Sequence, residues 1–253
     1  MSTTTTAASR ERSLGVTLNR IVYGFSRRWL LVFTLLWGLF VGLPWLAPVL
    51  MKIGWTGAGN AVYLIYSTQC HQLPQRSFFL FGEKSMYALA EVQAAWQNTN
   101  NPAILRQFIG NPEMGWKVAW SDRMVSMYTA IFVSGLLYWP LRKRLKPLPI
   151  WAFVLFVLPM ALDGGTHLIS DFAGIGNGFR DSNAWLAALT GNILPATFYA
   201  GDTLGSFNSW SRLITGVLFG LGAVWLAYPY LEDAFAETAD EIKAGFQRIG
   251  LSV

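Results

Sequence analysis

The chain has 253 residues, of which 53% are hydrophobic and only 13% are charged. This balance is typical of a helical integral membrane protein, and it leaves no room within these residues for a large soluble domain. The formal net charge is +5, but the basic residues lie beside apolar segments, so we expect topology signals and no nucleic-acid partner. The single cysteine excludes an intrachain disulfide.

The N-terminal residues 1–28 are polar and basic. Residues 1–9 form a Thr- and Ser-rich tract with little to bury, which predicts a disordered tail. From Leu14 to Phe25, apolar residues recur at helical spacing among arginines. This pattern predicts a basic amphipathic helix on the cytoplasmic membrane surface.

Four later stretches are apolar enough and long enough to cross a bilayer, since a spanning helix needs ~20 residues. We therefore predict an all-α integral membrane bundle with four transmembrane helices and short interfacial or re-entrant helices, in contact with the lipid bilayer. The membrane domain is predicted over residues 29–231, with spans at residues 29–50, 125–141, 148–169 and 213–231.

The orientation follows from the short basic link at residues 142–146, which the positive-inside rule places in the cytoplasm. Both termini are then cytoplasmic, including an amphipathic tail at residues 232–253, in a multi-pass protein of the cell membrane. The segments at about 52–121 and 170–210 lie outside. Within them we predict short helices over residues 61–68, 85–96 and 101–109, the last capped by Asn101.

Cys70 and His71 stand side by side in the first outer segment, followed by Pro74 and Arg76. A thiolate and an imidazole can ligate a soft or borderline metal ion, although adjacent ligands need partners from elsewhere. The alternative is a tight turn in which Pro74 breaks the helix and Arg76 pairs with a carboxylate or a lipid phosphate.

Asp163, His167 and Asp171 stand four residues apart, so one helix would place all three on one face. Asp163 lies about 22 Å along the third span at the helical rise per residue, which puts its carboxyl group inside the outer leaflet. Ionisable groups at that depth are costly and usually face a partner or a cavity. The alternative is a capping aspartate with His167 and Asp171 wetted at the surface.

Further polar residues and glycines near this predicted site occur at the starts of the second and fourth spans. Asp122 and Arg123 begin the second span, where Asp122 is expected to cap the helix and Arg123 to reach the headgroups. Arg212 begins the fourth span, and Gly216 and Gly220 form a stripe that favours close helix packing. On the inferred topology, all these ionisable residues converge on the outer side.

Four sequence motifs together resemble those of a known family. They are Cys70-His71-Gln72 with Arg76-Ser77-Phe78-Phe79, Met114-Gly115-Trp116-Lys117-Val118-Ala119, Pro159 with Asp163-Gly164-Gly165-Thr166, and Arg212 with Thr215, Gly216 and Gly220. In these motifs the chain resembles DUF2085, a family of bacterial and archaeal membrane proteins of unknown function, over about residues 29–235. The resemblance implies the fold and the region of the site, but no reaction. Many members carry a Cys-x-Arg-Cys or Cys-x-Arg-Asp pattern where this chain has residues 121–124, so a cysteine-based site would be incomplete here.

Two functional hypotheses follow. The first is a polar, metal-binding site on the outer face, with zinc or copper held by Cys70, His71, Asp163 and His167. The second is a non-enzymatic accessory or scaffold subunit of a larger membrane complex. Transport has weaker support because only four spans are predicted and no internal repeat is visible. No set of catalytic residues can be assembled, so the sequence leaves enzymatic activity open.

Overall fold

A computed structural model describes the backbone of residues 3–252 and the side chains of residues 13–252. It is mainly helical, with one small sheet. The elements are α1 (Thr3–Lys52), α2 (Thr56–Tyr66), a 3-10 turn (Pro74–Arg76), β1 (Ser77–Leu80), α3 (Leu89–Ala95), α4 (Pro102–Leu105), β2 (Gly110–Asn111), β3 (Gly115–Ser121), α5 (Asp122–Leu141), α6 (Ile150–Asp171), α7 (Phe179–Ser182), α8 (Ala184–Leu189), α9 (Ala196–Tyr199) and α10 (Phe207–Arg248).

Four of the described helices are long and apolar enough to cross a membrane: α1 from Ser13, α5, α6 and α10. The predicted all-α membrane bundle with four spanning helices is therefore confirmed. α1 continues through Pro44 and Pro48 to Lys52, and its backbone departs from helical geometry at Arg28.

The N-terminal part of α1 lies beside the C-terminal part of α10. Phe235 of α10 stacks on Trp29, and the Arg20 guanidinium lies over the Phe246 ring. Trp29 also donates a hydrogen bond to Glu232. The two terminal segments thus form an antiparallel helical pair. The predicted disorder of residues 1–9 stays a prediction, because part of that segment and all of its side chains lie outside the described residues.

α10 is the central helix of the bundle, since α1, α5 and α6 all pack along it. The closest approach is to α5, where Gly216 and Gly220 of α10 lie against the α5 backbone. A Cβ on Gly220 would meet the Met127 carbonyl oxygen at 2.6 Å and the Ala130 Cβ at 2.7 Å. Gly222, on another side of α10, allows Phe156 of α6 to approach in the same way.

The structure contains a three-stranded antiparallel sheet with the strand order β1-β3-β2, which the sequence did not predict. Ser77 pairs with Ser121, and Phe79 pairs with Lys117 after an irregularity in β1. β3 is almost entirely buried, so its residues lack the alternation that marks a half-exposed strand. Because β3 leads directly into α5, the sheet fixes the end of the bundle at which the polar residues meet.

We call residues 53–121 and 172–206 the polar cap. Two of its helices are shorter than predicted, since α3 covers Leu89–Ala95 and α4 ends at Leu105 rather than at residue 109. α2, predicted over residues 61–68, is longer and covers Thr56–Tyr66. The predicted cap of α4 is confirmed, since the Asn101 side chain accepts a hydrogen bond from the Ala103 amide. α2 packs on α1 and β3 and is too short to cross a bilayer.

Candidate functional site

The last turns of α6 carry polar residues on one face and apolar residues on the other. Asp163, His167 and Ser170 are buried, with 7%, 4% and 1% of their surface exposed. Leu162, Leu168 and Ile169 are at least 60% exposed and form the outward face. The buried side chains therefore point into the bundle, as expected of ionisable residues at this depth.

A second polar group joins α5, α10 and the polar cap through Arg212. The Arg212 Nε lies 2.7 Å from an Asp122 carboxylate oxygen, and its Nη1 lies 2.6 Å from Asp202. The side chain of Asp122 is completely buried, and that of Arg212 is 3% exposed. Asp122 is thus the partner of a buried arginine, and its carboxylate also accepts a bond from the Arg123 amide. Ser121 occupies the N-cap position of α5 without a side-chain cap, so the expectation that Asp122 caps this helix is wrong.

Three more arginines complete the network. Arg76 binds both oxygens of Asp171 at 2.7 and 2.8 Å and one oxygen of Asp202 at 2.9 Å. Asp163 accepts from Arg123 at 2.8 Å and from Arg180 at 2.7 Å. Arg123 therefore reaches inward across the bundle to α6, and the expectation that it extends to the lipid headgroups is wrong.

The network is balanced in charge and binds the polar cap to three spanning helices. Four arginines face four aspartates, and each aspartate has at least one arginine within hydrogen-bond distance. Burial alone would raise the pKa of Asp202, but Arg76 and Arg212 outweigh it and hold the pKa well below its usual range. Such pairing is what makes buried charges tolerable.

Both histidines belong to this region. His71 Nδ1 accepts a hydrogen bond from the Leu73 amide, so its proton is on Nε2 in the neutral ring. Desolvation, and then the charges of Arg76 and Arg212, lower the pKa of His71, so the ring is neutral at physiological pH. The residue as a whole is nevertheless exposed. His167 Nδ1 lies 3.0 Å from the carbonyl oxygen of Asp163, one helical turn back.

A cavity of about 220 Å³ lies within this network. Three arginines and one aspartate, Asp171, are among its lining residues, whereas Asp122, Asp163 and Asp202 are not. The lining residues therefore carry more formal positive than negative charge, although each of these arginines is paired with an aspartate. The lining residues are His71, Arg76, Ser121, Arg123, Met124, Gly164, His167, Leu168, Asp171 and Arg212.

Arg123 is the arginine with the most uncommitted donors. Its Nη2 binds Asp163, but its buried Nε has no partner in the described part of the chain. Its Nη1 lies 2.6 Å from the position that a Cβ on Gly164 would occupy. Only glycine at position 164 therefore lets the guanidinium lie this close to α6. A buried donor without a partner is costly, and it indicates where a ligand oxygen would be stabilised.

Cys70 lies apart from the cavity. Its Sγ accepts hydrogen bonds from the backbone amides of Gln72 and Ser121, each at 3.3 Å. The side chain is part of the apolar core between α1, α2 and β3. The Cys70 side chain thus lies in the apolar core, whereas the adjacent His71 lines the cavity.

Sequence reasoning missed Arg180, Asp202 and Lys117 as members of the polar region. Arg180 and Asp202 belong to an irregular segment rich in Gly, Asn and Ser, where no periodicity indicates the direction of a side chain. In the sequence, Lys117 stands out only as part of the motif at residues 114–119. It is completely buried in β3, and its Nζ donates to the carbonyl oxygens of Gln72 and Arg106.

Lys117 gives the fold a predicted pH dependence. Burial lowers its pKa from 10.5 to about 7, so between these values the unfolded chain binds a proton that the folded chain does not. Stability should therefore rise as the pH increases from 7 toward 10. We expect the unfolding midpoint in detergent to rise over this range, and to rise less in Lys117→Met. Equal slopes in the two proteins would contradict the assignment.

Comparison with known proteins places this site in a family context. The DUF2085 family, described as "Predicted membrane protein", matches residues 113–226. This match is shorter than the resemblance over residues 29–235 and leaves out Cys70, His71 and Arg76. An uncharacterized protein of Methanocaldococcus jannaschii is 30% identical over 156 residues, which cover 58% of this chain and 73% of the relative. No solved structure matches the chain.

Proposed function

The chain belongs to the DUF2085 family of predicted membrane proteins, and we propose that this protein has an anion-binding site. The site is the cavity among Arg76, Arg123 and Arg212. The ligand group is an oxyanion, a phosphate or a carboxylate, because planar guanidinium groups recognise such oxygens through paired hydrogen bonds.

The observation that carries this proposal is the difference between Arg123 and the other two arginines that line the cavity. Arg76 and Arg212 each have two carboxylate partners, whereas Arg123 binds one carboxylate through Nη2 alone. The paired side chains of Arg76 and Arg212 are held in place before a ligand binds, which reduces the entropy lost on binding.

The metal-binding hypothesis has less support. Among the described residues, no group of three or more His, Cys, Asp or Glu side chains is arranged to hold a metal ion. The Asp163 carboxylate is taken by Arg123 and Arg180, and the Cys70 thiol by two backbone amides. A zinc or copper ion at the four predicted ligands would require these interactions to break.

The charge distribution supports an extracytoplasmic position for the cavity. The basic link between α5 and α6 lies at the opposite end of both helices from Arg123 and Asp171. By the positive-inside rule this link is cytoplasmic, which puts the cavity and the polar cap outside and both termini inside. The second hypothesis, an accessory subunit of a membrane complex, stays a prediction.

Titration of inorganic phosphate into the detergent-purified protein at low ionic strength tests the proposed function. We expect saturable binding at one site, followed by isothermal titration calorimetry. Arg123→Gln should weaken binding about tenfold or more, since a hydrogen bond to a charged group contributes about 1.5–3 kcal/mol. Asp163 keeps Arg180 as its partner in this variant, so the fold should survive.

Arg144→Gln is the matched control, because Arg144 is an exposed arginine of the basic link. It should bind phosphate as the wild type does. Equal affinity in the wild type and Arg123→Gln would contradict the proposal. Elemental analysis of the same preparation provides a second check: one equivalent of zinc or copper, lost in a Cys70→Ser, His167→Ala variant, would favour the metal hypothesis instead.

A further inference from the structure

The cavity has an unusual position between two spanning helices. α5 and α6 each pack along α10 but hardly contact one another. The gap between them is crossed at the level of the cavity by the Arg123–Asp163 ion pair. Met124 and Leu168 are the large apolar side chains that line the cavity, and Leu168 is 60% exposed on the apolar face of α6.

The lining of the cavity thus combines buried charged residues with an apolar residue that reaches the outer surface of α6. Arg76 and Arg212 are almost completely buried, at 4% and 2% exposure, whereas Leu168 is exposed. A ligand that enters from the side must carry an anionic group and remain attached to something apolar. Membrane lipids with a phosphate group have this chemistry.

The depth of the cavity agrees with such a ligand. It lies at the first turn of α5 and the last two turns of α6. α6 has 22 residues, which at the helical rise span about 33 Å, close to the thickness of the hydrocarbon core. The end of α6 is thus at the level where lipid headgroups meet the hydrocarbon.

The size of the cavity limits how much of the lipid it encloses. Its volume of about 220 Å³ is below the ~300–1,000 Å³ of pockets that enclose a drug-sized molecule. The phosphate part of a headgroup fits, whereas the acyl chains must remain outside. A second cavity of about 230 Å³, almost entirely apolar, lies farther along α5. Its lining includes Ser134 and Leu137, which are on the same face of α5 as Arg123.

We propose that the oxyanion bound at this site is the headgroup phosphate of an anionic membrane lipid, which enters laterally between α5 and α6. This inference rests on the proposed function and specifies its ligand. Three arginines and only one aspartate line the cavity. This charge disfavours a headgroup that also carries a cation, because that cation would lie near Arg76 and Arg123. An anionic phospholipid such as phosphatidylglycerol is preferred over phosphatidylcholine.

Thermal unfolding of lipid-stripped, detergent-purified protein distinguishes the sources of the phosphate, because a ligand that binds only the folded state raises the midpoint. Three additions are compared at equal concentration: inorganic phosphate, short-chain phosphatidylglycerol and short-chain phosphatidylcholine. We expect phosphatidylglycerol to raise the midpoint most. The shift should be lost in Arg123→Gln, smaller in Arg123→Lys and unchanged in Arg144→Gln.

The outcomes separate the two proposals. If phosphate raises the midpoint but phosphatidylglycerol acts no more strongly than phosphatidylcholine, the lipid inference is overturned and the anion site stands. If neither phosphate nor phosphatidylglycerol has an effect, both proposals fail. If Arg123→Gln is already unfolded without ligand, the comparison is made with Arg123→Lys, and a full wild-type shift in that variant counts against the lipid inference.

Discussion

Replacing Arg212 with methionine should lower the free energy of unfolding by about 3–5 kcal/mol, the usual cost of removing one partner of a buried ion pair. The substitution leaves the completely buried Asp122 carboxylate without its cation, whereas Asp202 keeps Arg76. Chemical or thermal unfolding in mild detergent, followed by the near-ultraviolet signal of the tryptophans, measures the loss.

A double variant identifies the cause of this loss. Asp122→Asn in the Arg212→Met background removes the unpaired charge and should restore part of the stability. Lys84→Ala is the comparison for an exposed pair, since Lys84 and Glu91 are 56% and 39% exposed, and it should cost less than about 1 kcal/mol. A loss for Arg212→Met as small as that for Lys84→Ala would contradict the buried network.

Gly220→Leu is the second substitution with a large expected effect, about 3 kcal/mol or more. A Cβ at this position already meets Met127 O at 2.6 Å and Ile131 N at 2.9 Å, so a leucine must force α5 away from α10. The same unfolding measurement applies. Because α5 also carries Arg123, displacement of the helix should weaken phosphate binding as well.

Gly245→Ala is the matched control on the same helix, because a Cβ there would meet no atom within 4 Å. Its effect should be neutral or stabilising, since alanine favours a helix over glycine by about 1 kcal/mol. If Gly220→Leu were as stable as the wild type, the close approach of α5 and α10 would be wrong.

The spanning helices and one wall of the site could be predicted from the sequence because both rest on periodicity. Apolar length identifies α5 and α6, and a spacing of four residues puts Asp163 and His167 on one face. The depth of Asp163 in its span then indicates a buried partner. What the spacing cannot indicate is the identity of that partner, which proves to be arginine.

The remaining parts of the site depend on long-range contacts in irregular segments. Arg180 and Asp202 have no periodic pattern around them, and the buried strand β3 does not alternate. Adjacency in sequence predicts a common site for Cys70 and His71, but Cys70 lies in the apolar core whereas His71 lines the cavity. These features follow from packing between segments, which a single sequence does not reveal.

An oxyanion bound among Arg76, Arg123 and Arg212 should be visible in a crystal structure of lipid-stripped protein soaked in selenate. Selenate is a tetrahedral oxyanion whose selenium gives an anomalous signal. We expect one anomalous difference peak in the cavity, within hydrogen-bond distance of the Arg123 guanidinium and absent from Arg123→Gln crystals. An empty cavity in wild-type crystals that bind selenate elsewhere would contradict it.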